Sequence, residues 1–413
     1  MGEYLERAYD GLIRELLGEM PAILLVGARA VGKTTTAMRF ARTVVHLDRD
    51  ADAAAFRADP DVALRGLQEP VLLDEWQLVP AVLAAVKRAV DEDPRPGRFI
   101  LTGSVRAELE AETWPGTGRL TRVVMTGLSM RERVGSAAAR GLLARLAADG
   151  PGHLPSLPAD APDLRGYVDL ALSGAYPVPA LHVGGRGRQR WLRGYLDQLI
   201  TRDVAQFAGE RDPVRLRTYF EALAAHTGTV VGAKTLYDAV GLNAKTAAAY
   251  DRLLSSLFVL DMVPSWTSNR LKRLLRAPKR YIVDPGLAAA ATAADTQGVL
   301  RDGDLLGRIL DTFVAAQLRS ELAAAGGDAR LFHLRTEQGR READALVEWA
   351  DGRVIGVEVK ADSAPSGDAA RHLVWLRDRL GERFVAGVVF HTGPRPFQHD
   401  DRILMLPICS LWG

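Results

Sequence analysis

The sequence predicts an α/β protein of more than one domain, with a phosphate-binding parallel sheet in its amino-terminal part. Two observations lead to this fold class. Short apolar runs of strand length alternate with helical stretches, which is the order of a parallel sheet whose strands are joined by helices. The turn after the first of these runs carries the glycine pattern of a phosphate-binding loop. A length of 413 residues leaves room for two or three domains.

The composition is that of a globular protein. Hydrophobic residues make up 47% of the chain and charged residues 25%, and the formal net charge is +2. A balance so near zero neither favours nor excludes nucleic acid as a partner, so local clusters of charge have to decide. The single cysteine, Cys409, excludes a disulfide or a cysteine-based zinc site within one chain.

The sequence also predicts where the protein works. The first residues, MGEYLERAYDGL, carry acidic side chains and lack an apolar core, so they do not form a secretory signal. No apolar run approaches the roughly 18 residues that a membrane span needs. We therefore expect a cytoplasmic protein that has no membrane partner.

The first 135 residues are predicted to form one domain around the parallel sheet. Its five strands are predicted at 22–27, 43–48, 70–75, 98–104 and 121–126. These runs are continuously apolar rather than alternating, which is typical of strands that are covered on both faces.

Three further segments follow along the chain. Residues 136–164 are rich in Ala, Gly and Pro and are predicted to be a linker. Helical periodicity dominates the next segment, which is predicted as a helical domain over 165–300. The last segment, 301–413, is predicted as a second α/β domain. Its elements are expected as a helix at 305–324, a strand at 330–335, a hairpin at 342–360, a helix at 369–380 and strands at 384–390 and 402–407.

The phosphate-binding loop is predicted from GARAVGKT, which matches G-x-x-x-x-G-K-[ST] between an apolar strand and a helix. Its glycines let backbone amides surround phosphate oxygens, and the amino terminus of the helix adds a favourable potential. Lys33 can reach the β- and γ-phosphates, and the hydroxyl of Thr34 can bind Mg²⁺. The predicted nucleotide-binding set is Gly27, Ala28, Gly32, Lys33, Thr34 and Thr35. The alternative is a glycine-containing turn without a ligand.

An acidic pair ends the third predicted strand, in PVLLDEW. Asp74 can hold Mg²⁺ directly or through water. Glu75 follows at the place of a base that polarises the attacking water. Without a phosphate-binding loop upstream, a simple acidic turn would be the better interpretation.

Two more residues are candidates for the hydrolytic site. Thr102, at the tip of RFILTGS, offers a hydroxyl to the γ-phosphate or to the attacking water. Arg119, in GTGRL, can stabilise charge in the transition state. The alternatives are an ordinary polar strand end and a solvated surface arginine.

These motifs, in this order, resemble a known family. GARAVGKTT, VLLDEWQLVP, FILTGS, GRL and LSMRERV are similar to the prokaryotic AAA-type ATPases whose carboxyl-terminal part is called domain of unknown function 4143. The resemblance continues through LITRDV and APKRYIVDPGLAA to EADALVE and GVEVK, so it covers nearly the whole chain. It implies an AAA-type ATPase module that uses ATP and Mg²⁺, a winged-helix-like middle segment and a nuclease-like last domain.

The middle segment contains a helix–turn–helix pattern at 234–260, with the turn at VGLN. Lys245 and Thr246 would lie near the start of its second helix, where a recognition helix meets DNA. The basic runs 186–193 and 269–280 flank the pattern and could neutralise phosphates. Nucleic acid, DNA in the first place, is the expected partner. The alternatives are a helical bundle that only connects domains and solvated charged faces.

The predicted hairpin at 342–360 brings a second set of charged residues together. Asp351 and Gly352 form its turn, so Asp344 is expected at the far end beside Glu358 and Lys360. Carboxylates bind Mg²⁺ or Mn²⁺ through oxygen, and the metal lowers the pKa of its bound water. A lysine beside the metal can orient that water. The alternative is a sheet face on which Lys360 pairs with Glu358.

The spacing D-x(13)-E-x-K resembles the PD-(D/E)XK nuclease superfamily, whose fold is that of restriction endonucleases. This resemblance implies an additional acid from the first helix, and Asp311 is at the matching position. The related ATPases more often carry Glu there. The predicted metal ligands are therefore Thr34 and Asp74 at the ATP site, and Asp311, Asp344 and Glu358 at the second site.

The function expected from the sequence is ATP hydrolysis coupled to nucleic acid, with a metal-dependent nuclease-like domain at the carboxyl terminus. The alternative is a nucleotide-dependent switch or scaffold whose nuclease-like domain does not cut. An AAA-type module is also compatible with a homo-oligomer.

Overall fold

The structure is a computed structural model that describes residues 4–104, 118–203, 212–267, 273, 276–336 and 340–413. Its amino-terminal region is a five-stranded parallel sheet in the order β2-β3-β4-β1-β5. The five predicted strands are confirmed. They are β1 (Ala22–Val26), β2 (Thr43–His46), β3 (Val71–Asp74), β4 (Phe99–Gly103) and β5 (Thr121–Val124). The helices of this region are α1 (Tyr9–Glu19), α2 (Lys33–Ala37), α3 (Asp50–Ala58), α4 (Pro60–Leu64) and α5 (Ala81–Glu92).

The order of the strands positions the functional residues. Strand β4 lies between β1, which leads into the phosphate-binding loop, and β3, which ends at Asp74. Because the strands are parallel, their carboxyl ends meet at one edge of the sheet. All residues of β1, β3 and β4 are buried, which agrees with their continuous apolar runs.

The middle region is mainly helical. Its elements are α6 (Met130–Arg133), α7 (Leu142–Asp149), α8 (Leu164–Leu172), α9 (Gly185–Gln198), α10 (Pro213–Ala225), α11 (Ala233–Ala239), α12 (Ala244–Ser256), α13 (Pro285–Ala291) and α14 (Thr296–Arg301). An antiparallel pair, β6 (Leu260–Val263) and β7 (Lys279–Ile282), joins them. The sequence did not predict this pair.

The predicted linker needs a correction. Within 136–164, helix α7 places Leu142, Leu143 and Leu146 in the hydrophobic core. These three apolar side chains follow helical spacing, so they form one buried stripe. Residues Leu142–Asp149 therefore belong to the folded body.

The carboxyl-terminal region has the predicted elements in the predicted order. They are α15 (Gly303–Ala324), β8 (Ala329–Arg335), β9 (Glu342–Trp349), β10 (Val354–Val359), α16 (Arg371–Leu380), β11 (Phe384–His391), β12 (Phe397–Asp400) and β13 (Ile403–Pro407). The mixed sheet has the order β12-β13-β11-β10-β9-β8. Only the short edge strand β12 was not predicted.

The middle and carboxyl-terminal regions share one hydrophobic core. Phe220 of α10 and Leu254 of α12 belong to the same buried cluster as Leu310 of α15 and Trp412. The amino-terminal sheet has a separate cluster, which Tyr176 and Phe258 of the middle region join. In the described part of the chain, no helix is long and apolar enough to cross a membrane.

Candidate functional site

The phosphate-binding loop depends on two glycines. At Gly27, φ is +153°, and a Cβ atom would lie 2.2 Å from the carbonyl oxygen of Met125. Gly32 precedes α2 with φ +98°, in the left-handed region that favours glycine. Larger side chains at these positions would clash or strain the backbone, so the loop geometry explains both glycines of the motif.

Lys33 is buried against the loop itself. Its Nζ donates hydrogen bonds of 2.9 Å to the carbonyl oxygens of Gly27 and Ala28. Burial lowers the pKa of Lys33 to about 8, although the carboxylates of Glu75 and Asp74 oppose this shift. Carbonyl oxygens carry only partial charge, so the ammonium would gain from exchanging them for phosphate oxygens.

Three side chains converge on Asp74. The hydroxyl of Thr34 donates to Asp74 Oδ1 at 2.7 Å, and the hydroxyl of Thr102 donates to the same oxygen. His46 Nδ1 lies 3.2 Å from Asp74 Oδ2. His46 was not among the site residues predicted from the sequence. Its signal is the register of β2 and β3, which puts His46 directly beside Asp74.

Glu75 faces the end of β4. Its backbone is left-handed, with φ +54°, which is uncommon for a residue with a side chain and recurs at functional sites. Its N–H donates to Thr102 Oγ1 at 3.3 Å, and its carboxylate accepts from Ser104 Oγ at 3.3 Å and from the amide of Gln77. The structure thus holds Glu75 beside the hydroxyls of β4.

The oxygen atoms at this edge fit a magnesium ion. Mg²⁺ takes oxygen ligands and is usually bound by one or two protein groups and substrate phosphates. The Thr34 hydroxyl and the Asp74 carboxylate would hold it. His46, Asp48 and Asp74 each offer a ligand atom within 4.8 Å of the others, so the electronegative edge extends to β2.

Arg119 is not brought to this edge. It precedes β5 at the amino-terminal edge of the sheet, and its Nε lies 2.9 Å from Asp91 Oδ1 at the end of α5. Because the phosphate-binding loop lies at the carboxyl-terminal edge, Arg119 does not contribute to the ATP site of its own chain.

A buried ion pair supports the loop from behind, and the sequence analysis missed its role. Arg7 donates from Nε to Glu132 Oε1 at 2.8 Å and from Nη1 to the carbonyl oxygen of Val31 at 2.8 Å. Glu132 is fully buried and takes part in a capping box with Ser129. The Ser-x-x-Glu in LSMRERV signals the capping box alone, and no local pattern links Glu132 to Arg7.

The predicted acidic residues of the carboxyl-terminal region do converge. Ala345 of β9 lies opposite Val357 of β10, so Asp344 and Glu358 share one end of the hairpin. Lys360 Nζ donates to Glu358 Oε2 at 3.2 Å. Asp311, which is buried in α15, completes the set.

A second lysine occupies the centre of this cluster. Nζ of Lys279, from β7, lies 2.7 Å from Asp311 Oδ2 and donates to Asp344 Oδ1 and to the carbonyl oxygen of Asp344, each at 3.2 Å. Lys279 is only 5% exposed. The hydroxyl of Tyr281 donates to Asp311 Oδ1 at 3.1 Å, and its ring lies 5.3 Å from the ammonium.

The charges in this cluster follow from burial and from Lys279. Burial raises the pKa of Asp311 to about 7, against the opposing effect of Lys279. Burial and the charge of Asp344 raise the pKa of Glu358 well above its usual range. For Asp344, burial is outweighed by Lys279 and by the Val359 N–H, so its pKa is lowered. The carboxylates outweigh burial at Lys279 and raise its pKa.

A divalent metal does not fit this arrangement. Metal binding requires ionised carboxylates around a position that an ion can occupy. Here a buried ammonium lies between Asp311 and Asp344, and burial together with the charge of Asp344 raises the pKa of Glu358.

For the last residues of the basic run 269–280, the prediction of phosphate contact is wrong. Lys279 and Arg280 are buried, and Arg280 Nη2 lies 3.4 Å from Asp251 Oδ2. Arg273 of the same run pairs with Glu348 at 2.5 Å. Residues 269–272 and 274–275 lie outside the described residues.

The other predicted nucleic-acid contacts lie on helices α9 and α12. Arg186, Arg190 and Arg193 are exposed, and Trp191 stacks on Tyr195 with ring centroids 5.4 Å apart. Lys245 is exposed in the first turn of α12, and Thr246 follows it, with its N–H bound by the capping side chain of Asn243. These helices present exposed cations.

Comparisons with known proteins match three family models to successive parts of the chain. An AAA domain family matches residues 19–134, the domain of unknown function 8612 matches residues 164–298, and the domain of unknown function 4143 matches residues 306–411. The uncharacterized protein Rv2008c of Mycobacterium tuberculosis is 31% identical over 401 residues, which cover 96% of this chain and 82% of the relative. The chain belongs to this family of AAA-domain proteins with a carboxyl-terminal domain of unknown function 4143.

The family includes a second relative, the uncharacterized protein Mb2031c of Mycobacterium bovis, with the same 31% identity and the same coverage. Among solved structures, the Walker-type ATPase PABY2304 of Pyrococcus abyssi is similar over 70% of this chain and 96% of that chain, with 15% identity and a TM-score of 0.43. The resemblance inferred from the motifs, an AAA module followed by domain 4143, is confirmed.

Proposed function

We propose that the protein is a Mg²⁺-dependent ATPase that works as a nucleotide switch. The observation that carries this proposal is the convergence of Thr34 and Thr102 on one oxygen of Asp74, beside Lys33, whose Nζ donates to two carbonyl oxygens of the loop. Such an arrangement positions phosphate, metal and water with little covalent chemistry, as phosphoryl transfer requires.

The chain's own residues have distinct roles in this mechanism. Lys33 leaves the carbonyl oxygens of Gly27 and Ala28 and binds the β- and γ-phosphates. Thr34 and Asp74 would hold Mg²⁺, which when bound would supply charge neutralisation at the phosphates. Glu75 accepts a hydrogen bond from the attacking water and orients it, while Thr102 fixes the backbone of Glu75.

Contacts behind the loop support the switch. Tyr195 of α9 donates to the carbonyl oxygen of Arg29 in the loop at 3.3 Å. A cavity of about 470 Å³ lies between the three regions, and its walls include Ala28 of the loop, Phe258 of the middle region and Leu322 of α15. If the loop changes conformation when nucleotide binds, its contacts with the middle and carboxyl-terminal regions would change as well. A nucleotide that binds one arrangement of the regions more tightly shifts the equilibrium toward it.

The proposal is tested with Lys33→Ala and Glu75→Gln. We expect Glu75→Gln to bind a fluorescent ATP analogue with near wild-type affinity but to release phosphate about 100-fold more slowly, because it keeps the phosphate contacts and loses the base. Lys33→Ala should lose both binding and turnover. Arg88→Ala, on the exposed face of α5, is the matched control. Wild-type turnover in Lys33→Ala would sink the ATPase proposal.

We propose that nucleic acid, and DNA before RNA, is a partner that responds to the nucleotide state of the protein. Exposed Lys245 and Arg252 on one side of α12 support this second candidate. DNA binding that falls steeply with salt and weakens in Lys245→Glu is the expected result. Binding that is insensitive to salt and to this substitution would exclude a role for α12.

A role for Arg119 in hydrolysis requires a second copy of the chain, because within one chain it lies at the other edge of the sheet. An Arg119→Ala variant whose turnover falls only in an oligomeric fraction is the expected result for a homo-oligomer.

A further inference from the structure

We propose that Lys279 is a built-in cation that closes the carboxyl-terminal acidic cluster to divalent metals. In this conformation the cluster of Asp311, Asp344 and Glu358 takes no Mg²⁺ or Mn²⁺, and it becomes a metal site only when the side chain of Lys279 is withdrawn. The inference concerns this cluster alone and does not rest on ATP hydrolysis.

The ammonium uses all of its hydrogen-bonding capacity within the cluster. A lysine has three N–H donors and no acceptor. The three contacts of Nζ are Asp311 Oδ2 at 2.7 Å, Asp344 Oδ1 at 3.2 Å and the carbonyl oxygen of Asp344 at 3.2 Å. These three acceptors match the three donors, so Lys279 acts as a counter-ion in the cluster rather than as a ligand for substrate.

The same contacts occupy the oxygens that a metal would use. A divalent ion prefers carboxylate and carbonyl oxygens, and these are the groups that Lys279 holds. A second cation placed beside a buried ammonium would be repelled at low dielectric constant. The metal and the Lys279 ammonium therefore exclude each other.

Lys279 reaches the cluster from another part of the chain. It opens β7, which pairs with β6 rather than with the sheet that carries Asp344 and Glu358. The β6–β7 pair is connected to β8 through His333, whose N–H donates to the carbonyl oxygen of Pro264 at 3.0 Å and whose carbonyl oxygen accepts from the Trp266 N–H at 2.6 Å. A shift of the β6–β7 pair against β8 would withdraw the ammonium and leave the acids in place.

The cluster contains two lysines whose roles can be separated. Lys360 lies on the same hairpin as Glu358, and its side chain is 37% exposed, whereas the side chain of Lys279 is 6% exposed. Lys360 pairs with Glu358 alone among the three acids, at 3.2 Å. Removal of Lys360 therefore leaves the central position between Asp311 and Asp344 filled.

The experiment measures Mn²⁺ binding to the full chain without nucleotide, from the loss of the electron paramagnetic resonance signal of free Mn²⁺. We expect Lys279→Met to gain one Mn²⁺ per chain, with affinity at least about tenfold above that of the wild type. The gain should disappear in Lys279→Met/Asp344→Asn, which assigns the new ion to this cluster. Lys279→Gln, which keeps hydrogen-bonding atoms near the carboxylates, is a second neutral variant if Lys279→Met does not fold.

Two control variants and two contrary outcomes make the test decisive. Lys279→Arg keeps the central charge and Lys360→Met removes the peripheral one, so neither should gain an ion. A wild-type chain that binds one Mn²⁺ in a manner sensitive to Asp344→Asn would overturn the proposal. So would a folded Lys279→Met or Lys279→Gln chain that binds no additional Mn²⁺. Loss of ATP hydrolysis in any variant would leave this result unaffected.

Discussion

The ATP site of the amino-terminal region and the acidic cluster of the carboxyl-terminal region each contain a buried lysine, and the two lysines are held by different groups. Lys33 donates to two backbone carbonyl oxygens, and burial lowers its pKa to about 8. Lys279 lies between two carboxyl groups, which raise its pKa in spite of complete burial. Lys33 is thus poorly compensated, and Lys279 is compensated by carboxyl groups.

This difference distinguishes a site prepared for a ligand from a site that is closed by the chain itself. A buried cation that is held only by the partial charges of carbonyl oxygens is stabilised when an anion binds beside it. Phosphate binding therefore offsets the free-energy cost of burying the Lys33 ammonium. A cation between two carboxyl groups already has its counter-charges, so any second cation has to displace it.

The largest expected effect comes from breaking the compensated pair. Asp311→Asn leaves Lys279 with Asp344 as its remaining carboxylate, and loss of one partner of a buried pair typically costs about 3–5 kcal/mol. We expect the free energy of unfolding, measured with urea, to fall by that amount. Lys279→Met/Asp311→Leu/Asp344→Asn should recover most of the loss, because it removes the ammonium and both of its carboxylate partners. If the free energy of unfolding of Asp311→Asn falls by less than about 1 kcal/mol, Lys279 and Lys33 do not differ in the way described above.

The next effect is the pH dependence of stability that Lys33 causes. Its pKa in the folded chain is about 8 and its ordinary value is 10.5, so between these values the unfolded chain binds more protons. The free energy of unfolding of the nucleotide-free protein should therefore rise with pH in this window, by an amount that Lys33→Met abolishes. Thermal melts of both proteins between about pH 7.5 and 9.5 measure the difference. Parallel curves would show that Lys33 is not buried as a poorly compensated charge.

The smallest expected effect concerns Asp74, at the carboxyl-terminal edge of the amino-terminal sheet. His46 contacts the oxygen of Asp74 that Thr34 and Thr102 do not use. His46→Ala should raise the Mg²⁺ concentration for half-maximal ATPase activity by about tenfold, since groups that orient a metal ligand have effects of this size. His153→Ala is the matched control, because His153 is an exposed histidine in the loop after α7. An unchanged Mg²⁺ dependence would mean that Thr34 and Thr102 orient Asp74 without His46.

The features that could be predicted from the sequence are those that depend on local sequence patterns. The strands of the two large sheets could be predicted because their apolar runs are continuous or alternate with period 2. The loop from Gly27 to Thr34 could be predicted because the residues of its motif follow one another in the sequence. Asp74 and Thr102 followed from the rule that the ends of parallel strands meet at one edge.

What the sequence did not predict comes from contacts between distant segments. Arg7 and Glu132 are 125 residues apart, and no local pattern links them. Lys279 stands in a run of cations that is typical of a solvated face, but its strand is buried on both sides. Only the three-dimensional approach of β7 to Asp311 and Asp344 shows that this lysine neutralises acids of the same chain.

The core that Phe220 and Leu254 share with Leu310 and Trp412 has a consequence for how the protein can be divided. Regions with a common apolar interior lose it together, so the middle and carboxyl-terminal regions form one cooperative unit of unfolding. A cut in the chain near residue 300 would expose apolar surface on both fragments, whereas the amino-terminal sheet keeps its own interior. Gain or loss of the last region in evolution would therefore require the middle region to change with it.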